Sequence, residues 1–172
     1  TLNHRLMLDG AGFIEPTFYE PTPYLSPADT PAGFLPVPDC DECIVGLETF
    51  EDNSLDFGLQ IDSGQIIGPG FSTGLENLTD SVDSDDGEID GSGQSNNLGS
   101  SYFTFGNSLT ITLPSLMQSA GLVWTDGAPN LTDVIFEAFD ENGNSLGTVN
   151  AGPIADSEFT GTTAEDRFFG IS

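Results

Sequence analysis

The chain carries two textures. Up to residue 39 apolar residues are interrupted by prolines, whereas from Ile44 onward short runs of Ile, Val, Leu, Phe and Thr are separated by Gly, Asn, Asp and Ser. The second texture is that of an all-β domain, because β-branched and aromatic residues suit a pleated, half-buried surface and the intervening residues suit turns. Strands are expected over residues 44–50, 55–61, 101–105, 109–113, 121–125, 133–139 and 145–149, and over Arg167–Ile171. Within 133–139, Val134, Phe136 and Ala138 alternate with Ile135, Glu137 and Phe139. Apolar residues on both faces imply burial on both sides for part of that strand. Asn142-Gly143 between this run and the next is the strongest hairpin signal in the chain. Residues 114–120 suit one helical turn, and no longer helix is written. The pattern predicts an all-β, two-sheet sandwich, jelly-roll-like, preceded by an extended proline-rich arm.

Residues 15–39 hold seven of the eleven prolines, at 16, 21, 23, 27, 31, 36 and 38. Each proline removes a backbone donor and biases its predecessor to extended geometry, which excludes helix and interior strand and predicts a polyproline-type arm. Phe18, Tyr19, Tyr24, Leu25, Phe34 and Leu35 are more apolar than a plain linker requires and read as docking anchors. The chain therefore divides into residues 1–39, the N-terminal segment and arm, and residues 40–172, the β-sandwich domain. Arg167–Ile171 has no strand after it, so an exposed edge is expected there. The prolines favour residues 2–14 as a segment that fills such an edge on a neighbouring copy, giving a homo-oligomer or a filament. The alternative is an arm that folds back on its own domain or stays loose.

Charge narrows the function classes. The 172 residues hold 28 Asp and Glu against Arg5 and Arg167, no lysine and one histidine, for a net charge of −26. Nucleic acid and anionic membrane surfaces repel such a chain, and no apolar run is long enough to span a membrane. With 37% hydrophobic residues and 13 Phe the chain can still build a core of single-domain size. Lack of lysine excludes a P-loop, a Schiff base and a Lys-Asn isopeptide crosslink. His4 lies too near the start to serve a Ser-His-Asp or Cys-His site, so a non-enzyme is expected. A carboxylate-pair hydrolase is a minor reading, because carboxylates are abundant but nothing pairs them. Self-repulsion of this size calls for a counter-ion, and calcium is the natural one.

The densest acidic run supplies the place for it. Asp80, Asp83, Asp85, Asp86, Glu88 and Asp90 put six carboxylates within eleven residues, with Gly87 and Gly91 permitting tight turns. A hard cation that takes six to eight oxygens fits that density, although the spacing is not an EF-hand's. Asp126, after Trp124, is expected to join the ligands, and Glu48, Glu51 and Asp52 are further candidates to close the site. The alternative is a solvated acidic loop. Cys40 and Cys43 form a C-x-x-C with too few partners for zinc and acidic flanks that disfavour thiolate, so a local disulfide in an oxidising compartment is expected. Most aromatic residues belong to the core, with Tyr102 and Trp124 the first candidates for a carbohydrate-stacking face. A carbohydrate-binding module with a polysaccharide partner is accordingly the rival function. Sequons at Asn77 and Asn130 matter only in a eukaryotic secretory pathway.

Four stretches carry a resemblance: the run Asp80-Ser-Val-Asp-Ser-Asp-Asp-Gly-Glu-Ile-Asp-Gly-Ser-Gly, then Gly121-Leu-Val-Trp-Thr-Asp-Gly, Val134-Ile-Phe-Glu-Ala-Phe-Asp-Glu-Asn-Gly-Asn-Ser-Leu-Gly and Thr163-Ala-Glu-Asp-Arg-Phe-Phe-Gly-Ile. Together they resemble a recurrent β-domain of exported bacterial proteins, often of the PEP-CTERM-sorted kind. The start, His4-Arg5-Leu6-Met7-Leu8-Asp9-Gly10-Ala11-Gly12, resembles the LEPR-XLL segment of large bacterial surface proteins, with Asn3-His4 in place of its Glu-Pro. The resemblance implies secretion and an extracellular or cell-surface role, structural or in a matrix, and brings no catalytic residues. The β-domain it points to continues with a further strand after Arg-Phe-Phe-Gly, so either the chain is expected to be truncated or that strand is expected to come from elsewhere.

Overall fold

A computed structural model describes residues 2–3, 15–24, 27–34, 46–68, 100–115, 117–125, 132–154 and 166–172. Its strands are β1 (Leu2–Asn3), β2 (Phe18–Pro23), β3 (Gln60–Ile61), β4 (Gln65–Ile67), β5 (Ser101–Phe103), β6 (Ile111–Thr112), β7 (Ala120–Trp124), β8 (Ile135–Phe139), β9 (Ser145–Asn150) and β10 (Arg167–Ile171). The one helical element among them is a 3-10 turn at Pro27–Asp29, so the described chain is all-β. No described helix is long and apolar enough to cross a membrane. The helical turn expected at 114–120 is absent from its described part, which runs into β7.

The strands form two three-stranded sheets, ordered β1-β8-β9 and β2-β10-β7, and two ribbons, β3-β6 and β4-β5. β8 and β9 make the hairpin written by Asn142-Gly143. Asp140 closes its turn by accepting the N–H groups of Asn142 and Asn144 at 2.8 and 2.9 Å, while Gly143 takes the positive φ of 80° that the turn needs. A bond from the Asn144 side-chain amide at 2.9 Å, followed by those backbone bonds, holds the Asp140 carboxyl down to about 2. The two-face pattern of this strand resolves one-sidedly: Phe136 and Ala138 are buried, whereas Ile135 is 58% exposed.

The largest departure from the sequence pattern is at the terminal strand. β10 is not an edge: it pairs antiparallel with β7 on one side and with β2 on the other. The arm thus folds back on its own chain, and the ladder extends one pair beyond the strands, where Thr17 and Ser172 exchange backbone bonds of 2.7 and 2.9 Å. Prolines exclude an interior strand but not this one, because β2 lies at the sheet margin and needs donors only toward β10. A bulge in the β2 register between the partners of Phe168 and Gly170 absorbs the irregular stretch.

Both faces of this sheet are covered. Phe169 and Ile171 join Val134, Phe136, Ala138 and Val149 in one buried cluster, against which Phe18, Leu122 and Trp124 pack. On the opposite face Phe168 is enclosed by arm aromatics: Tyr24 stacks on it at 5.7 Å and Phe34 meets it edge-on at 4.8 Å, with Tyr19 edge-on to Phe34. Gly121 and Gly170 make this possible, since a Cβ on either would stand 2.6 or 2.7 Å from the Phe168 ring. Other strands are shorter than expected. Of 44–50 the described residues 46–50 form no strand, and of 55–61 only β3 is extended, while β4 lies in a stretch without a strong pattern.

Candidate functional site

The acidic run with Asp80, Asp83, Asp85, Asp86 and Asp90, the possible closing ligand Asp126, and the pair Cys40 and Cys43 all lie outside the described residues. What the structure does give is the frame that holds the ends of the acidic segment. β4 and β5 pair antiparallel with Ile67 opposite Ser101, so residues 68 and 100 lie side by side at the ends of one long connection. The exit is tied by Glu51, whose Oε1 accepts the Ser100 N–H at 2.8 Å and whose Oε2 accepts the Ser100 hydroxyl at 3.3 Å. Ser100 is buried, so this carboxylate satisfies donors that water cannot reach.

Glu48 works the same way within residues 46–59. Its two oxygens accept the N–H groups of Phe50 and Asp56 at 2.7 and 2.5 Å, folding the segment into a tight curl. Phe50, Asn53 and Phe57 take positive φ values of 63°, 61° and 55° there. For bulky residues such geometry costs of order 1–3 kcal/mol and persists only where its surroundings impose it. Asp52 caps Ser54 through both its N–H and its hydroxyl. The Asp52 charge, with lesser contributions from burial and Glu48, raises the Asp56 carboxyl. On the neighbouring ribbon Asp62 accepts the Thr110 N–H at 2.9 Å, and that bond lowers its carboxyl.

Glu48, Glu51 and Asp52, named as further candidates to close the calcium site, accept bonds from Phe50, Asp56 and Ser54 nearby and from Ser100 across the fold. The acidic run they would join lies outside the described residues, and among the described residues alone no group of three His, Cys, Asp or Glu is arranged to hold a metal ion. The capping role of these three carboxylates is legible only once the backbone path is known.

The two stacking candidates stand on different sheets. Tyr102, on β5, is half-buried against Phe50 at 5.7 Å, and burial followed by the Asp62 charge raises its hydroxyl. Trp124, on β7, packs against the central cluster with its indole Nε1 buried and unpartnered. The most exposed aromatic of this region is Phe105, one of the aromatics ranked behind Tyr102 and Trp124 as a stacking residue: it is 80% exposed, against 49% for Phe57, with Phe103 edge-on to it at 4.8 Å. Only its place just past the end of a short strand could have signalled that.

Comparison of the chain with protein-family models, with curated proteins and with solved structures returns no match.

Proposed function

We propose that the chain is a secreted, calcium-stabilised structural or assembly subunit of the bacterial cell surface or extracellular matrix, built on a jelly-roll-like sandwich, and not an enzyme. The observation that carries this reading is the charge: −26 against two basic side chains, with Arg167, the one Lys or Arg among the described residues, donating from Nη1 to the Asp166 carbonyl. Such a chain needs cations from outside, and the Asp80–Asp90 run offers them the densest oxygen cluster. Its resemblance to exported bacterial β-domains supports the location. Melting in millimolar calcium and in chelator tests it. A ligand that binds only the folded state adds about 2.7 kcal/mol at a hundredfold excess over its Kd. Asp85→Asn with Asp86→Asn should erase the shift, and equal melting temperatures in the two buffers would overturn the reading. Cys40 and Cys43 are proposed to be joined; two alkylatable thiols in unreduced protein would contradict that.

One observation favours a second reading, a carbohydrate-binding module: the Phe103–Phe105 pair offers an exposed aromatic surface beside the hydroxyls of Ser63 and Thr104, which lie 3.4 Å apart. A neutral glycan suits it, since the chain's charge repels anionic ones. Polysaccharide pull-down lost in Phe105→Ala would support this reading, and no retention on any neutral polysaccharide would remove it.

A further inference from the structure

The pairing of β2 with β10 assigns the assembly reading a specific contact. We propose that Phe18–Pro23 is an exchangeable strand, and that the β10 edge of one copy accepts the arm of a second copy in the register it takes with its own. This deepens the assembly reading and rests on it, but does not depend on calcium.

The contact joins a separate segment to the core, with Phe18 packing against the central cluster. Its partners lie at opposite ends of the sequence, Phe18 opposite Ile171 and Pro23 opposite Arg167, so nothing local in the chain enforces it. It contributes a ladder, the Tyr19 hydroxyl to Ser172 hydroxyl contact at 3.1 Å, and a set of anchors that enter prepared places. Phe18 lies over Gly147, where a Cβ would come within 2.8 Å of its ring, and meets Phe136 edge-on at 6.4 Å. Tyr24 and Phe34 close on Phe168. Every one of these contacts is available unchanged to an arm from a neighbour.

Two further facts favour a second copy over any other strand. The outer margin of β2 is poor in donors, because Pro21 and Pro23 have no N–H, so a strand added outside the arm gains few bonds while a strand replacing it gains all of them. Residues 35–45 join the arm to the rest of the chain. Extended on either side of a joined Cys40–Cys43 loop, that length still reaches about 35 Å, against a radius of gyration of about 16 Å for a domain of this size, so a neighbour's β10 is within covalent reach. Cis and trans contacts are identical, so concentration decides between them.

The test uses full-length chains carrying Cys40→Ser and Cys43→Ser. One set adds Thr17→Cys, a second Ser172→Cys and a third both. Thr17 and Ser172 are a hydrogen-bonded antiparallel pair, whose usual Cα separation of about 5.5 Å accepts a disulfide. The two single variants are unfolded together, refolded at rising protein concentration in calcium and in chelator, then oxidised and mapped by mass spectrometry. Exchange predicts a 17-to-172 link between chains that grows with concentration in both buffers, while the third variant at low concentration closes within one chain. Closure within the third variant with no inter-chain 17-to-172 link at any concentration overturns the proposal, as do links mainly of the 17-to-17 or 172-to-172 kind. Wild-type chains refolded in the same way guard against variants that fail to fold: light scattering must show dimers or larger species, and monomers throughout overturn exchange. Because exchange is read in both buffers, its failure is separable from failure of calcium binding.

Discussion

The surroundings of β10 and the ribbons around residues 46–67 and 100–112 solve the same problem, holding short strands together, by opposite means. Around β10, Phe168, Phe169 and Ile171 are buried mainly against apolar and aromatic side chains, with Asp166 buried just before the strand and Thr22 opposite Phe168. Around the ribbons the pairings are two or three residues long, and what fixes them is carboxylate: Glu48 on Phe50 and Asp56, Glu51 on Ser100, Asp62 on Thr110. Apolar burial has no proton to gain, whereas a capping carboxylate accepts most strongly when ionised. A protein this acidic thus uses part of its charge as structure in one region and keeps most of it off the aromatic and apolar packing of the other.

The contrast can be broken from either side. Phe169→Ala, at a side chain 1% exposed, should cost about 3–5 kcal/mol and lower the urea midpoint by the same amount at neutral and at mildly acidic pH. Gly147→Ala forces a side chain onto a φ of 141° and into the Phe18 ring. It should cost more than about 1 kcal/mol and loosen the arm, seen as faster proteolysis near residue 17. Glu51→Ala leaves the buried Ser100 N–H without its acceptor and should cost about 1–3 kcal/mol at neutral pH. The smallest effect is at Asp140. Its folded carboxyl sits at about 2, below the ordinary 3.8, so its stabilisation is complete above the ordinary value and lost as pH falls through the folded one. Asp140→Ala should therefore melt below wild type at neutral pH, with the gap closing as pH approaches 2. A gap that persists there would assign the effect to something other than the carboxylate.

What was legible follows the same division. The β8-β9 hairpin was readable because Asn142-Gly143 is a local signal, and β10 was readable as a strand from Phe-Phe-Gly-Ile. Its partner was not: Pro21 and Pro23 argue against a ladder until the strand is known to lie at a margin. Phe50 and Phe57 look like strand residues, yet both turn left-handed, because the Glu48 carboxylate holds nearby N–H groups that no periodicity reveals. Tyr102 and Trp124 were sound candidates by residue type. Ring exposure depends on packing, and it singles out Phe105 instead.

That β10 is an internal strand sealed by the arm is most directly tested by amide hydrogen exchange of the native full-length chain. Phe168 to Ile171 lie between two partner strands, and Tyr19 and Thr22 are carried on the strand that seals them. Their amides should exchange slowly, with arm and terminal strand opening together and more slowly than the ribbons at Gln60–Ile61 and Ile111–Thr112. Slow exchange of β10 beside free-chain rates throughout Phe18–Pro23 would leave the terminal strand with an open edge and contradict the fold-back.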